Sequence, residues 1–241
     1  IEELVRLALE RKEAGETIDP ELLQRYQSLI GSLLYCATNT RPDIAFAVAY
    51  LGRGMSCPTP ELYECGLRVL RYLNTHRSLG LRYAPRDTGP VSGMTDANWA
   101  VRHSTSGSVF MFGEAAISWS SKKQPSVALS SCEAEIMAAS EATKEAVYLR
   151  SFLDELGEGS KDPLSLACDN KAAIDLAYNP EHHQKTKHIE RRHFYVREVV
   201  ESGQLVVPFV TSADNLADFF TKPLDSKPFF EMRDRIMNVC S

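Results

Sequence analysis

A carboxylate stands at the start of a predicted helix, on the face that should be buried. Within residues 127–139, VALSSCEAEIMAA, Ser130 and Glu133 have the spacing of a capping box, which accounts for Glu133 without a function. Glu135 is instead in line with apolar positions that recur at helical spacing: Ala139, Ala142, Ala146, Leu149 and Leu153. A buried carboxylate is costly unless it is paired or binds a metal, so Glu135 is the first candidate for chemistry.

Two alternatives bear on this choice. Glu135 could be a partly exposed first-turn acid that the helix dipole stabilises. Glu133 is in line with Met137, Glu141 and Lys144, which predicts a mostly solvated face for it.

Three further acids stand at the ends or inside of predicted elements. Asp96 lies within a predicted strand, on the same side as Met94, where an acid needs a partner. Asp169 follows the fourth predicted strand, at the edge where open α/β sheets place their ligands, although it could simply cap the next helix. Asp218 lies in a short helix after the fifth strand; it could be a surface acid, with Asp214 as the cap of that helix.

Together these acids indicate hard-cation chemistry. Mg²⁺ prefers oxygen ligands and keeps part of its water shell. Two such ions about 3.5–4 Å apart can hold the attacking water and the leaving oxygen of an in-line phosphodiester displacement. The candidate metal ligands and catalytic residues are Asp96, Glu135, Asp169 and Asp218.

The elements that would position these acids form the second half of the chain. We predict an N-terminal helix and linker over 1–24, a helical block over 25–86, an α/β domain over 87–224 and a tail helix over 225–241. The α/β domain has the order strand-strand-strand-helix-strand-helix-helix-strand-helix, which predicts a five-stranded mixed sheet flanked by helices.

Composition limits the class of protein. The 241 residues are 44% hydrophobic and carry a net charge of −5, which is ordinary for a globular protein and unlike a uniformly basic nucleic-acid binder. No apolar run approaches the ~20 residues of a membrane span, so we expect no membrane partner. The chain begins with Ile1, which indicates an excised piece, and its six cysteines form no C-x-x-C pair, which predicts reduced thiols.

A basic segment, 182–197, interrupts the otherwise acidic chain and predicts a helix that ends at Glu201. It carries Lys185, Lys187, Arg191 and Arg192, which we expect to contact backbone phosphates; the alternative is a solvated helix face. It also holds four histidines, but not in an H-E-x-x-H pattern, so a zinc site is disfavoured.

Several stretches resemble a known family. TDANWA, STSGSVFMFGEAAISWSSKKQ, ALSSCEAEIMAASEATKEAVYLRSFL, CDNKAAI, KTKHIERRHFYVRE and NLADFFTKPL resemble the ribonuclease H domain of copia-type LTR retrotransposon polyproteins. Upstream, YQSLIGSLLYCATNTRPDIAFAV and RVLRYLNTHRSLGLRY resemble the region that connects the polymerase to that domain.

The resemblance implies a ribonuclease H-like sheet, two Mg²⁺ or Mn²⁺ ions, and hydrolysis of the RNA strand of RNA/DNA hybrids. It assigns the catalytic acids to Asp96 in TDA, Glu135 in EAE, Asp169 in CDN and Asp218 in LAD. It also implies an upstream reverse transcriptase domain in the same polyprotein and a cytoplasmic location within virus-like particles. No Tyr-x-Asp-Asp motif occurs here, so we predict no polymerase activity, and the oligomeric state is not predicted.

Three departures from the family pattern stand out. The loop 211–215, TSADN, lacks the histidine that many ribonucleases H carry there, which we expect to affect rate more than reaction type. Asn98 stands where the family usually has a second acid, and Ile136 where it often has Tyr.

Nucleic-acid contacts are also predicted outside the basic segment. Lys122 and Lys123 are expected on phosphates. Asn170 is expected on the RNA strand, where 2′-hydroxyl contacts would give selectivity, although it could merely open the next helix. Three alternatives remain open: a catalytically silent scaffold, a DNA-cutting relative such as an integrase, and a host protein reused for binding. The integrase alternative predicts Glu as the last acid, where this chain has Asp218.

Overall fold

The structure is a computed structural model that describes residues 1–83, 89–100, 103–178 and 190–239; for residues 190, 191 and 193 only the backbone is described. The chain divides into two compact units, Ile1–Leu81 and Arg82–Ser241. The predicted domain boundary after residue 86 falls outside the described residues.

The first unit is all-helical, as predicted. Its elements are α1 (Glu2–Glu13), α2 (Pro20–Asn39), the 3₁₀-helix Pro42–Ile44, α3 (Ala45–Gly52) and α4 (Pro60–Thr75). The linker was predicted through residue 24, whereas α2 begins at Pro20, because Asp19 caps the helix by accepting a hydrogen bond from the Glu21 amide and proline fits the first helical position.

The core of the first unit is apolar, and Arg41 and Asp43 form a buried ion pair in the same unit. Tyr26, Ile30, Val48, Leu51 and Leu62 are fully buried, and the Tyr26 hydroxyl donates to the Leu51 carbonyl at 2.8 Å.

The second unit alternates strands and helices. Its elements are β1 (Ser92–Asn98), β2 (Thr105–Phe112), β3 (Ala115–Lys123), α5 (Ser131–Leu156), β4 (Leu164–Cys168), α6 (Lys171–Tyr178), α7 (Glu190–Glu201), β5 (Leu205–Val206), the 3₁₀-helix Leu216–Phe220 and α8 (Ser226–Met237). The sequence predicts a helix over 131–156 that ends at Gly157, and α5 has these bounds: Ser130 caps its start, and Gly157, in the left-handed region at φ 80°, ends it.

The strands form one mixed sheet in the order β3-β2-β1-β4-β5. β1 pairs antiparallel with β2 and parallel with β4, so the predicted five-stranded mixed sheet is confirmed. The sequence QLVVPFV predicts a fifth strand over 204–210, whereas β5 is shorter, because Pro208 has no amide hydrogen to continue the ladder.

Different elements cover the two faces of the sheet near β1. Leu164, Leu166 and Phe110 pack with Ile136 and Leu149 of α5 in the main core of this unit. Gly93 of β1 faces this core, because a Cβ added there would meet Phe110 and Leu166. Side chains alternate along a strand, so Asp96, three residues further on, points to the opposite face of the sheet.

The 3₁₀-helix Leu216–Phe220 covers that opposite face. It lies so close to Gly107, the β2 partner of Asp96, that an added Cβ would sit 2.8 Å from the Ala217 carbonyl and 2.6 Å from Thr221 Cγ2. Glycine at this position is therefore what lets the last acid-bearing segment approach β1.

Cysteines and membrane spans were also predicted from sequence. Cys36, Cys57, Cys65, Cys132 and Cys168 are free thiols, as expected, while Cys240 lies outside the described residues. In the described ranges, helices long and apolar enough to cross a bilayer do not occur.

Candidate active site

Asp96 is the acid of the central strand. It lies on β1 with 6% of its surface exposed, and its Oδ2 accepts a hydrogen bond from Thr221 Oγ1. Asn215 links the same two segments, because its Nδ2 donates to the Thr95 carbonyl at 3.1 Å. Asp96 therefore has the partner that the sequence predicts for it, and this partner, Thr221, lies 125 residues further along the chain.

Glu135 is buried in the first turns of α5, with 6% of its surface exposed, which rules out the alternative of a partly exposed acid. Ser130 Oγ accepts from the Glu133 amide at 3.1 Å, as the capping-box spacing predicts. Glu133 Oε2 in turn accepts from the Leu129 amide at 2.7 Å. The solvated face predicted for Glu133 is wrong at its first two positions: Glu133 is 5% exposed and Met137 4%, because the loop before the helix folds over them.

Asp169 directly follows β4, at the predicted edge of the sheet. Its Oδ2 accepts a hydrogen bond from Ser212 Oγ at 2.6 Å. The helix cap is instead Asn170, whose Oδ1 accepts from the Ala173 amide at 3.1 Å. The proposed capping role of Asp169 is therefore filled by its neighbour.

Asp218 lies in the 3₁₀-helix after β5 and is 4% exposed, so it is no surface acid. The cap of this helix is Asn215, which accepts from the Ala217 amide; Asp214, the predicted cap, accepts from the Thr211 hydroxyl instead. Lys222, one helical turn on, places Nζ 2.7 Å from Asp218 Oδ2.

The fold brings the four acids together around Asp169. Ligand atoms of Asp96, Asp169 and Asp218 all lie within 4.8 Å of one another. A second group, Glu135, Asp169 and the thiol of Cys168, meets the same limit. All four predicted acids therefore face one site.

Burial and mutual repulsion disfavour negative charge in this site. Burial, with Asp96 and Asp169 nearby, raises the pKa of Glu135 to about 9, although a backbone hydrogen bond from Ala97 opposes the shift. Burial also raises the pKa of Asp96 to about 7; the Thr221 hydroxyl works against it and Asp218 adds to it. Partial burial opposes the charge of Lys222, but Asp218 outweighs this and raises the pKa of Lys222.

The donor set fits a hard divalent cation. Among the residues that the structure describes, Glu135 Oε2 and Asp218 Oδ1 are buried without a hydrogen-bond partner. Unpartnered buried carboxylate oxygens are rare and costly, and a cation among them would satisfy them. Oxygen donors of this kind are the ligands that Mg²⁺ and Mn²⁺ prefer.

Comparison with known proteins places the chain. No family model matches it. It is 41% identical, over 209 residues and 85% of its length, to the retrovirus-related Pol polyprotein from transposon TNT 1-94 of Nicotiana tabacum. The homologues of the chain are retrovirus-related Pol polyproteins from plant copia-type transposons. The chain spans only 16% of the tobacco polyprotein.

A shorter relative and a solved structure extend the comparison. Secreted RxLR effector protein 161 of Plasmopara viticola is 45% identical over 128 residues, which are 52% of this chain and 90% of the effector. The foamy viral protease-reverse transcriptase in complex with RNA/DNA hybrid matches 90% of this chain and 28% of its own, with 12% identity and a TM-score of 0.52. With the strand order, this likeness confirms the predicted ribonuclease H-like fold and the helical block before it.

The predicted basic contacts are placed unevenly in this Pol segment. Lys122 and Lys123 are exposed at the end of β3. Lys123 pairs with Thr105 of β2, which in turn pairs with Asn98 of β1, so this end of the sheet lies two residues beyond Asp96. Arg192 is half-buried on α7. Lys185 and Lys187 lie outside the described residues, and of Arg191 only the backbone is described.

Sequence reasoning missed the residues that hold the acids. Thr221 and Lys222 follow Asp218 at the three- and four-residue spacing of one helical face, a signal that the motif NLADFFTKPL contained. Ser212 and Asn215 lie in the loop noted for its missing histidine. Their partners are distant in sequence, so no local pattern identifies them.

Proposed function

We propose that this Pol segment is an endonuclease that hydrolyses the RNA strand of RNA/DNA hybrids during reverse transcription, with two Mg²⁺ or Mn²⁺ ions as cofactors. The observation that carries the proposal is the convergence of four acids from β1, α5, β4 and the 3₁₀-helix, two of them with unpartnered buried oxygens. Similarity to Pol polyproteins supplies the context, and the foamy viral protease-reverse transcriptase shares the fold, so a reverse transcriptase domain upstream in the same polyprotein is the proposed partner. Virus-like particles in the cytoplasm are the proposed location.

The cation ligands in this proposal are Asp96, Glu135, Asp169 and Asp218. When bound, two divalent ions activate the attacking water and stabilise the leaving oxygen of an in-line displacement. The expected products carry 5′-phosphate and 3′-hydroxyl ends.

Other side chains of the segment orient these ligands. Thr221 fixes the rotamer of Asp96, and Ser212 does the same for Asp169. Lys222 neutralises Asp218 while the cluster is without cations. The protein's contribution is thus mainly to hold the carboxylates in place before the substrate arrives.

Substrate contacts follow from position and charge. Lys122 and Lys123 are exposed at the end of the sheet where β1 delivers Asp96, so we assign them to the phosphate backbone. Lys185, Lys187, Arg191 and Arg192 are assigned the same role from sequence. Asn170 keeps its amide nitrogen for a 2′-hydroxyl while its Oδ1 caps α6.

The experiment compares cleavage of labelled RNA/DNA hybrid, duplex DNA and duplex RNA, each with Mg²⁺, Mn²⁺ or EDTA. The wild type should cut only RNA in the hybrid and only with metal, and Asp96→Asn should abolish the cutting. Asp214→Asn is the matched control, because this exposed acid belongs to the last loop but not to the cluster. Cutting of duplex DNA would instead support a DNA-cutting relative.

A second function is favoured by one observation. The effector of Plasmopara viticola matches this chain over 90% of its own length, so a protein of this kind exists without a polymerase. The second candidate is therefore a catalytically silent or host-reused nucleic-acid-binding scaffold. It predicts that the wild type and Asp96→Asn bind hybrid equally and that neither cuts it with any metal.

A further inference from the structure

Cys168 forms a second ligand group with two of the four acids, Glu135 and Asp169. It is the last residue of β4, is 1% exposed, and belongs to the core that packs under α5. Its Sγ and the carboxylates of Glu135 and Asp169 offer ligand atoms within 4.8 Å of one another. This group shares only Asp169 with the all-oxygen group of Asp96, Asp169 and Asp218.

Two observations show that this group is more than a buried thiol near acids. Glu135 is 6% exposed, and in the described part of the chain its Oε2 has no hydrogen-bond partner. The Glu135 carboxylate offers a ligand atom within 4.8 Å of the thiol and of Asp169. The backbone amide of Asn170 donates to Cys168 Sγ at 3.4 Å, so a hydrogen bond positions the sulfur within the ligand group. The group thus combines a carboxylate that has an unpartnered buried oxygen, that of Glu135, with the Cys168 sulfur, which accepts one hydrogen bond.

We propose that Cys168, Glu135 and Asp169 form a site for a soft divalent cation of the Zn²⁺ class. Zn²⁺ takes thiolate at about 2.3 Å and carboxylate oxygen at about 2.0–2.2 Å, whereas Mg²⁺ does not use sulfur. Three protein ligands leave a fourth tetrahedral position for water. On binding, the thiol proton passes to solvent and the sulfur–metal bond takes its place.

This site would control access of the hard cations. Zn²⁺ at Cys168 occupies Glu135 and Asp169, which the proposed nuclease needs for Mg²⁺, so the two cations exclude each other. A soft thiolate ligand gives Zn²⁺ the advantage at low concentration. The soft-cation site goes beyond the proposed function, and its existence does not depend on whether the segment hydrolyses RNA.

The test is a titration of the metal-free, reduced protein with Cd²⁺, whose bond to thiolate gives an ultraviolet charge-transfer band. Wild type and Cys132→Ala should show the band equally, and Cys168→Ala should lose its tightest-binding part. Cys132 is the matched control, because it is a free thiol at the start of α5 outside the ligand group. An unchanged band in Cys168→Ala would overturn the proposal.

The acids provide an independent arm that leaves the thiol in place. Glu135→Gln should weaken Cd²⁺ binding at Cys168 by at least about tenfold, the lower end of what disturbing even an outer partner of a metal ligand costs. Glu133→Gln, at a buried acid outside the group, should not. Excess Mg²⁺ should lower the apparent Cd²⁺ affinity of the wild type. Equal affinity in all three proteins would show an isolated thiol and refute the site.

These readouts need neither substrate nor turnover. A segment that fails to cut hybrid but shows the Cys168-dependent band keeps the soft-cation site and loses the nuclease. A segment that cuts hybrid but lacks the band does the reverse.

Discussion

The Thr221 hydroxyl donates a hydrogen bond to Oδ2 of Asp96, a residue 125 positions earlier in the chain. Thr221→Val keeps the shape of the side chain and removes the donor. We expect the free energy of unfolding of the metal-free protein to fall by about 1–3 kcal/mol, the cost of leaving a buried hydrogen-bonding group without its partner. Thr221→Ser retains the hydroxyl and should lose less. Urea unfolding measures both, and a loss in Thr221→Ser without a loss in Thr221→Val would show that the methyl group, not the hydrogen bond, matters.

Gly107 predicts a steric effect on the same contact. In Gly107→Ala the new Cβ would meet the Ala217 carbonyl at 2.8 Å and push the 3₁₀-helix with Asp218 away from β1. We expect a loss of about 1–3 kcal/mol, as for overpacked cores, together with weaker Mg²⁺ binding by calorimetry. Gly31→Ala is the control, because nothing lies within 4 Å of its Cβ position on α2, where alanine should gain up to about 1 kcal/mol.

The raised pKa values predict how stability depends on pH in the absence of metal. The native state holds protons on Asp96 up to about pH 7 and on Glu135 up to about pH 9, whereas the unfolded chain releases them near pH 4. The native state thus binds more protons in this window, so the free energy of unfolding should fall as pH rises through it.

Unfolding in EDTA across pH 5 to 9 measures this slope. Glu135→Gln should flatten it and Glu133→Gln should not, and Mg²⁺ should restore stability at the alkaline end by replacing the protons. Stability that rises toward pH 9 in EDTA would contradict the assignment.

Lys222 is a cation already present beside Asp218 Oδ2, at 2.7 Å. Its charge should therefore oppose the binding of another cation. Lys222→Met should strengthen Mg²⁺ binding by up to about fivefold, because solvent screens this partly exposed pair to about 1 kcal/mol or less. Lys222→Arg keeps the charge and should change the affinity little. Weaker Mg²⁺ binding in Lys222→Met would instead mean that Lys222 orients the ligand.

Periodicity found the acid on α5 but not its whole environment. The phase of Ala139, Ala142, Ala146 and Leu149 placed Glu135 on the buried face, because helical spacing is a local property. It placed Glu133 wrongly, since a loop outside the helix covers that face, and helix periodicity contains no information about such a loop. Burial set by a neighbouring segment is not visible in one element's pattern.

Helix caps are also predicted correctly where the signal is local and wrongly where a contact distant in sequence decides. Ser130 was predicted as a cap because the signal is local and strong, whereas Asp214 and Asn215 are adjacent residues with similar capping propensity. Asn215 is the cap because its amide nitrogen also reaches the Thr95 carbonyl. Which of the two wins depends on β1, and β1 lies more than a hundred residues away in sequence.

The long span from Asp96 to Thr221 also sets an order of events during protein synthesis. A ribosome completes β1 before the other strands, and Asp96 has no partner until Asn215, Asp218 and Thr221 are translated, after the rest of the sheet. Until then the growing chain has an acidic strand without its partners and a cluster short of one carboxylate. Competence to bind cations therefore arises only after Asp218 and Thr221 have been translated, so a product stopped before Asn215 lacks it.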